Sequence, residues 1–348
     1  MLLHAIFFTL LFLGVSSAAR CHAVSLKASS PQPSLSPSVA SFSSTSAWPR
    51  HDTFTKPSAP VKSSGSVQLS ASVESSTSTQ SASAHPSTSA QSSVSVSNGT
   101  ALIPGGKKAG SAGGRATKFW QEHLGWWYDW TPSPETIGNL EGVAMLWGSG
   151  NNGQQDEKRF AEFQQLTTVP QYLLGFNEPD CTASDTSANM DVDEGVSLWN
   201  ELIAPKGEQG SLLGSPAMCM QKAESWLKKF KAGSLARDWD YTAIHVYKPD
   251  MAGVQADVDY YWTTYGKPIL VTEFGCVYDQ DDFTPCSDQS EISQWISDVV
   301  DLFEKNENII GYAYTDGGGL GTVWLPVKSD GSALSVSGQA YLDAISKY

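Results

Sequence analysis

Seven apolar runs of strand length punctuate the C-terminal two thirds of the chain: Leu124–Asp129, Val143–Trp147, Tyr172–Asn177, Ser211–Pro216, Tyr241–Tyr247, Ile269–Glu273 and Ile309–Tyr314. They are continuous rather than alternating, the pattern of strands covered on both faces in a parallel sheet. Between them, Glu157–Gln165, Val196–Ile203, Ala223–Phe230 and Glu291–Glu304 carry apolar residues at three- and four-residue steps, which predicts helices. Strand and helix in alternation predict an α/β fold with a parallel sheet. An eighth strand is expected between Trp147 and Tyr172, at Leu166–Val169, completing a compact or somewhat reduced (β/α)8 barrel. In that order Tyr172–Asn177 is the fourth strand and Ile269–Glu273 the seventh. A doubly wound open sheet is the competing architecture, but no glycine-rich phosphate loop opens any of the helices.

The pattern changes upstream. Residues Ala5–Val15 form an apolar run followed by small residues, too short to span a bilayer and the right length for the core of a signal peptide. Residues 1–23 are therefore expected to be removed, with cleavage between about 18 and 23. From 24 to 102 the chain is roughly one third serine, with Thr, Pro, Gln and Ala making up much of the rest. Such a stretch buries too little apolar surface to offset its ordering entropy, so a disordered linker is expected, either O-glycosylated or a plain spacer. The acceptor sequon at Asn98 lies where it meets the domain. Residues 103–348 match the usual length of one barrel. No other segment is apolar enough to span, and Asp343–Tyr348 lacks the tail of a lipid-anchor signal, so no membrane anchor is expected.

The chain holds 22 Lys and Arg against 36 Asp and Glu, a net charge of −14. Of residues 24–100 only Asp52 and Glu74 are acidic, so the negative charge sits on the folded domain. That argues against nucleic acid and anionic membranes and suits a neutral polysaccharide. In a secreted chain the five cysteines favour disulfides. Processing after Ala23 would remove Cys21 and leave Cys181, Cys219, Cys276 and Cys286. Cys276 and Cys286 enclose a short loop and form a natural pair, while Cys181 and Cys219 each follow a strand end; sequence alone leaves the pairing open. No ligand spacing indicates a metal, no cofactor is expected, and a monomer is expected.

Two strands end in glutamate: Tyr172-Leu-Leu-Gly-Phe-Asn-Glu178 and Pro268-Ile-Leu-Val-Thr-Glu273. In a parallel barrel the C-terminal strand ends line the mouth where catalysis occurs. Two carboxyls on one rim are what glycosidic cleavage requires, one to protonate the leaving oxygen and one to attack or activate water. Asn177 can donate to a sugar hydroxyl, and Pro179 biases Glu178 towards extended geometry. Period-two alternation puts His245 and Tyr247 on one face, where Tyr247 can hydrogen-bond Glu273 and His245 can orient substrate. Trp126, Trp127, Trp130, Trp147 and Trp324 are candidate sugar platforms, of which two or three are expected to serve. The Gly-rich Asp316–Thr322 reads as a mobile rim loop.

The order LLGFNEPD, GSPA, a Trp-Leu-x-x-Phe helix, DYTAIHVY and KPILVTEFGC resembles glycoside hydrolase family 128, the fungal-rich catalytic-core family of β-1,3-glucanases, over roughly residues 118–348. The resemblance implies a retaining double displacement on β-1,3-glucan or laminari-oligosaccharides, with Glu178 as acid/base and Glu273 as nucleophile. It implies that Asn177, His245 and Tyr247 line the subsite at the nucleophile. Retention implies carboxyls about 5 to 5.5 Å apart. The family more often reads His-Trp-Tyr where this chain has His245-Val246-Tyr247, and Trp-Phe where it has Tyr314-Thr315; both positions are expected to bear on substrate stacking, and Tyr314 is counted among the binding candidates. The insertion Tyr278–Ser290 is expected to wall off one end of the cleft. The expected function is a secreted, wall-associated endo-β-1,3-glucanase. The alternatives are exo action and a glucan-oligosaccharide-binding protein with weak or no turnover.

Overall fold

The computed structural model describes residues 102–183, 186–219, 225–278 and 283–348. The expected signal peptide, the Ser-rich linker and Asn98 lie outside the described residues. Strands β1 (Ala109–Ala112), β2 (Trp126–Tyr128) and β3 (Glu141–Gly142) precede β4 (Ala144–Met145), β5 (Tyr172–Leu174) and β6 (Leu212–Leu213). The long strands β7 (Thr242–Tyr247) and β8 (Ile269–Gly275) follow; then a short β9–β10 pair (Val277–Tyr278, Thr284–Pro285) and finally β11 (Ile309–Thr315). The main helices are α1 (Thr117–Trp120), α2 (Gln154–Gln164), α3 (Val192–Leu198), α4 (Ala204–Glu208), α5 (Ser225–Ala232), α6 (Met251–Tyr265), α7 (Gln289–Lys305) and α8 (Val336–Ile345).

The fold is α/β with a parallel central sheet. One parallel sheet runs β3-β2-β1-β11-β8-β7 and a second runs β4-β5-β6. Only Val143 separates β3 from β4, and its amide donates to the Trp127 carbonyl at 2.9 Å. A parallel bridge between Gly214 and Tyr241 links the ends of β6 and β7.

The expected strand at Leu166–Val169 is instead an irregular connection after α2, and a strand the sequence reading missed lies at Ala109–Ala112. The sequence hides β1 because Ala-Gly-Ser-Ala has no large apolar residue. Its smallness has a packing cause: a Cβ at Gly110 would lie 2.4 Å from the Trp126 indole, and one at Gly311 would lie 3.0 Å from the same ring. Trp126 fills the space that these glycines leave. The apolar residues divide into two clusters. One is enclosed by strands and includes Trp126, Tyr128, Met145, Trp147, Leu174, Tyr241 and Leu270. The other joins the sheet to the helices through Val271, Phe274, Trp295, Val299 and Phe303.

The helix at Glu291–Glu304 appears as α7, whose N-terminus Asp288 caps by accepting from Ser290 and Glu291 amides. The helix read at Val196–Ile203 is instead α3 plus a π turn over Trp199–Ile203. Helices α6 and α8 escape the periodicity reading, although Asp250 and Ser335 cap them in the usual way. Among the described residues no helix is long and apolar enough to cross a membrane.

The pairing that the sequence left open is Cys181 with Cys219 and Cys276 with Cys286. Cys181–Cys219 ties the segment after Glu178 to the one after β6, with Cα atoms 6.3 Å apart; Cys276–Cys286 closes the loop after β8 at 5.5 Å.

Candidate active site

Glu178 follows β5, in the segment where Asn177 pairs with Ala217. Its backbone is not extended, as Pro179 had led us to expect, but left-handed at φ 50°. A non-glycine residue there costs on the order of 1–3 kcal/mol. Hydrogen bonds on both sides hold it: the Glu178 amide donates to Ala217 O at 2.8 Å, and Cys181 N donates to Glu178 O at 3.2 Å.

Glu273 owes its direction to a bulge. On β8, Leu270 packs inside the sheet and Val271 on the helix side. Strict alternation would send Glu273 to the helix side as well. Between Ile244 and His245 the β7–β8 register slips, so that His245 pairs with Glu273 after Ile244 pairs with Val271. The extra residue, Thr272, turns Glu273 back to the face that carries His245, as bulges commonly re-aim side chains near functional sites.

His245, fully buried, connects the two carboxylates. Its Nδ1 lies 2.9 Å from Glu178 Oε1, and its Nε2 lies 3.6 Å from Glu273 Oε1. Tyr247 donates its hydroxyl to Glu273 Oε2 at 2.9 Å, and the Trp130 indole donates to Glu273 Oε1 at 3.1 Å. Ser187 Oγ lies 3.2 Å from Glu178 Oε2 as a donor. Both Glu178 and Glu273 are largely withdrawn from solvent, at 16% and 11% side-chain exposure.

Burial pushes the Glu178 carboxyl above the ordinary carboxylate range; the Glu273 charge adds to this, and His245 works against it. Burial alone would lower His245, but the charge of Glu273 and the hydrogen bond to Glu178 outweigh it, and its pKa is raised. Burial, and then Glu273, drive the Tyr247 phenol well above its usual value, so it stays a hydrogen-bond donor.

The structure redistributes the expected sugar-binding residues. Trp130, half-buried with φ 61°, is the one indole of the five that reaches the pair. Trp126 and Trp127 are buried at 0% and 3% exposure; Trp126 donates to Lys108 O inside the sheet. Trp147 is enclosed in the inner cluster under Arg159, 5.2 Å above its ring. Tyr314 and Trp324 are core residues: the Tyr314 hydroxyl donates to Trp324 O, and the Trp324 indole donates to Cys286 O. None of these five has a face open to a sugar. Asn177 donates its amide to Thr186 O at 3.1 Å, while its buried Oδ1 has no hydrogen-bond partner among the described residues. Val246 is fully buried on the helix side, so that departure from the family pattern does not reach the pair. The insertion after β8 does reach the site, because Phe283 packs its ring 5.3 Å from that of Tyr247.

Three residues at the site escaped the sequence reading. Tyr128, fully buried, is pushed up first by its burial and then by Glu273 and Glu178. Asp316, 8% exposed, accepts from Arg115 N at 3.1 Å and occupies the space above Gly113, where a Cβ would lie 1.9 Å from its Oδ1. Burial raises its pKa, and Glu273 adds to the shift. The position of Asp316 at the end of the last strand was a usable signal. Ser187, in a loop, offered none.

The family described as "Glycosyl hydrolase catalytic core" matches residues 106–341. The chain is similar to a subgroup VII oligosaccharide-binding protein of glycoside hydrolase family 128 from Trichoderma gamsii. The two share 62% identity at a TM-score of 0.70, covering 71% of this chain and 97% of that one. A protein of the same description from Cryptococcus neoformans is 47% identical, with a TM-score of 0.68 over 71% and 96%. A subgroup I endo-β-1,3-glucanase from Amycolatopsis mediterranei, in complex with laminarihexaose, is 25% identical at a TM-score of 0.53, over 69% of this chain and 100% of that one. Alkali-sensitive linkage protein 1 of Schizosaccharomyces pombe is 27% identical over 251 residues, 70% of this chain, and the chain spans 44% of that relative's length.

Proposed function

Since this chain belongs to glycoside hydrolase family 128, we propose that its Glu178–Glu273 pair cleaves β-1,3-gluco-oligosaccharides with retention of configuration. The reading is carried by one observation: a single imidazole, His245, lies between both carboxylates, one from each of two strand ends, hydrogen-bonded to Glu178 and within ion-pair distance of Glu273. In the first step a Glu273 oxygen attacks the anomeric carbon. The glycosidic C–O bond breaks, and the Glu178 proton passes to the departing oxygen. Water then gives its proton to Glu178 and attacks the same carbon, releasing Glu273 and a product of the original configuration. Burial supports the protonated Glu178 that the first step needs. Tyr247 and Trp130 orient the Glu273 oxygens, and Trp130 offers the accessible indole for a pyranose face.

In this reading the parallel strands form a (β/α)8 barrel. The chain is secreted and wall-associated, with residues 1–23 a signal peptide, 24–102 a spacer and 103–348 the catalytic domain. The two disulfides favour an oxidising compartment. A second reading, oligosaccharide binding with little turnover, is favoured by the description of the Trichoderma and Cryptococcus relatives. The burial of four of the five tryptophans fits it too, since a long polysaccharide cleft needs more than one platform. The test is proton NMR of the first product released from laminarihexaose. A β-anomer appearing before mutarotation supports retention, and an α-anomer refutes it.

A further inference from the structure

We infer that Ser187, held in place by Asn152, is a positioning residue that fixes the plane of the Glu178 carboxyl group. The inference rests on the acid/base reading of Glu178. A glutamate's terminal torsion is broad and roughly two-fold, so one hydrogen bond leaves its carboxyl free to turn. Glu178 has two, on different oxygens: His245 Nδ1 at Oε1 and Ser187 Oγ at Oε2. The second contact comes from a segment with no regular secondary structure, which must itself be held.

Asn152 supplies that hold. Its side-chain amide donates to Ser187 O at 2.5 Å and to Ala183 O at 3.3 Å, reaching across from the segment before α2. Asn152 is in turn fixed from below, because its backbone amide donates at 3.0 Å to Asp156, fully buried in the first turn of α2. A Cβ at Gly148 would lie 2.5 Å from Asp156 Oδ1, so the strand exit is shaped around this carboxylate. From the other side Asn177 donates to Thr186 O at 3.1 Å, and Ala188 N donates to Asn177 O at 2.8 Å. The segment carrying Ser187 is thus pinned at Ala183, Thr186, Ser187 and Ala188, while Ser187 presents its hydroxyl to Glu178. An asparagine in a Gly-Asn-Asn-Gly stretch, which reads as turn chemistry alone, acts on the acid catalyst through one serine.

The experiment compares Ser187→Ala, Ser187→Thr and Asn152→Ala with the parent chain on two substrates. One is laminarihexaose, whose departing sugar needs a proton; the other is an aryl β-laminaribioside with a good leaving group, which needs none. Losing the orientation of an acid catalyst should cost about ten-fold in kcat on laminarihexaose. The expected result is that loss in Ser187→Ala and Asn152→Ala, with KM for laminarihexaose and kcat/KM on the aryl substrate, which reports the first step alone, little changed, and recovery in Ser187→Thr, which keeps the hydroxyl. Equal losses on both substrates, or no loss, would overturn the inference. A parallel titration of 13C-carboxyl-labelled glutamate needs no turnover and separates the two readings. If the parent chain cleaves neither substrate, the hydrolase reading fails and the titration decides. A Glu178 midpoint that moves in both Ala variants supports the contact, and one unmoved in both overturns it.

Discussion

The Tyr247 hydroxyl reaches Glu273 Oε2 at 2.9 Å because β8 carries one residue more than β7 between their paired positions. Without that bulge the carboxylate would point towards the helices, and the two strand-end glutamates would not share a face. The relationship between Tyr247 and Glu273 thus joins a backbone irregularity to the chemistry.

Tyr247→Phe removes this donor and leaves the ring packed against Phe283. A hydrogen bond to a charged group is worth about 1.5–3 kcal/mol, so kcat/KM on laminari-oligosaccharides should fall by roughly ten- to a hundred-fold. The folded structure should be retained, as circular dichroism and thermal unfolding would verify. An unchanged rate would remove Tyr247 from the nucleophile's support.

Removing each carboxyl should leave a distinct signature. Glu178→Gln should abolish turnover of unactivated glucan while leaving oligosaccharide binding intact in a calorimeter. Glu273→Gly should be inactive and should be rescued by azide with an α-configured glycosyl azide as product, identified by NMR. Failure of azide rescue would count against the nucleophile.

The pH profile follows from the raised Glu178 carboxyl. An acid catalyst works only while protonated, so turnover of laminarihexaose should be high at acidic pH and fall as pH rises through a value above the ordinary carboxylate range. His245, also raised, keeps its positive charge further towards neutrality beside Glu273. A rate that increases steadily from acidic to alkaline pH would contradict the acid role.

The tryptophans should separate by burial. Trp130→Ala should weaken laminari-oligosaccharide binding, measured by calorimetry, with a small effect on the unfolding midpoint. Trp126→Ala should destabilise the fold by about 3–5 kcal/mol through the cavity left between Gly110 and Gly311. Strong binding in the first variant, or full stability in the second, would reverse the assignment.

The long apolar strands β7, β8 and β11 were plain in the sequence because burial on both faces demands continuous hydrophobic runs. Strand β1 was hidden because its small residues make room for Trp126, a requirement set by a ring in the next strand. The same cause misleads about the tryptophans: sequence locates Trp126, Trp127 and Trp147 near strand ends but does not say which side of the sheet they face. The convergence of Glu178, Glu273, His245 and Tyr247 was legible from their positions at strand ends. The left-handed backbone of Glu178, the bulge at Thr272 and the Ser187–Asn152 contact depend on long-range packing, which no local pattern encodes.

The most direct measurement follows laminarihexaose with the parent chain in two formats at once: product analysis by chromatography, and heat of binding with Glu178→Gln. The expected result is shorter laminari-oligosaccharides from the parent and saturable binding without cleavage in the variant. Saturable binding in both chains with no product from the parent would contradict the hydrolase claim and establish the pair as a binding site.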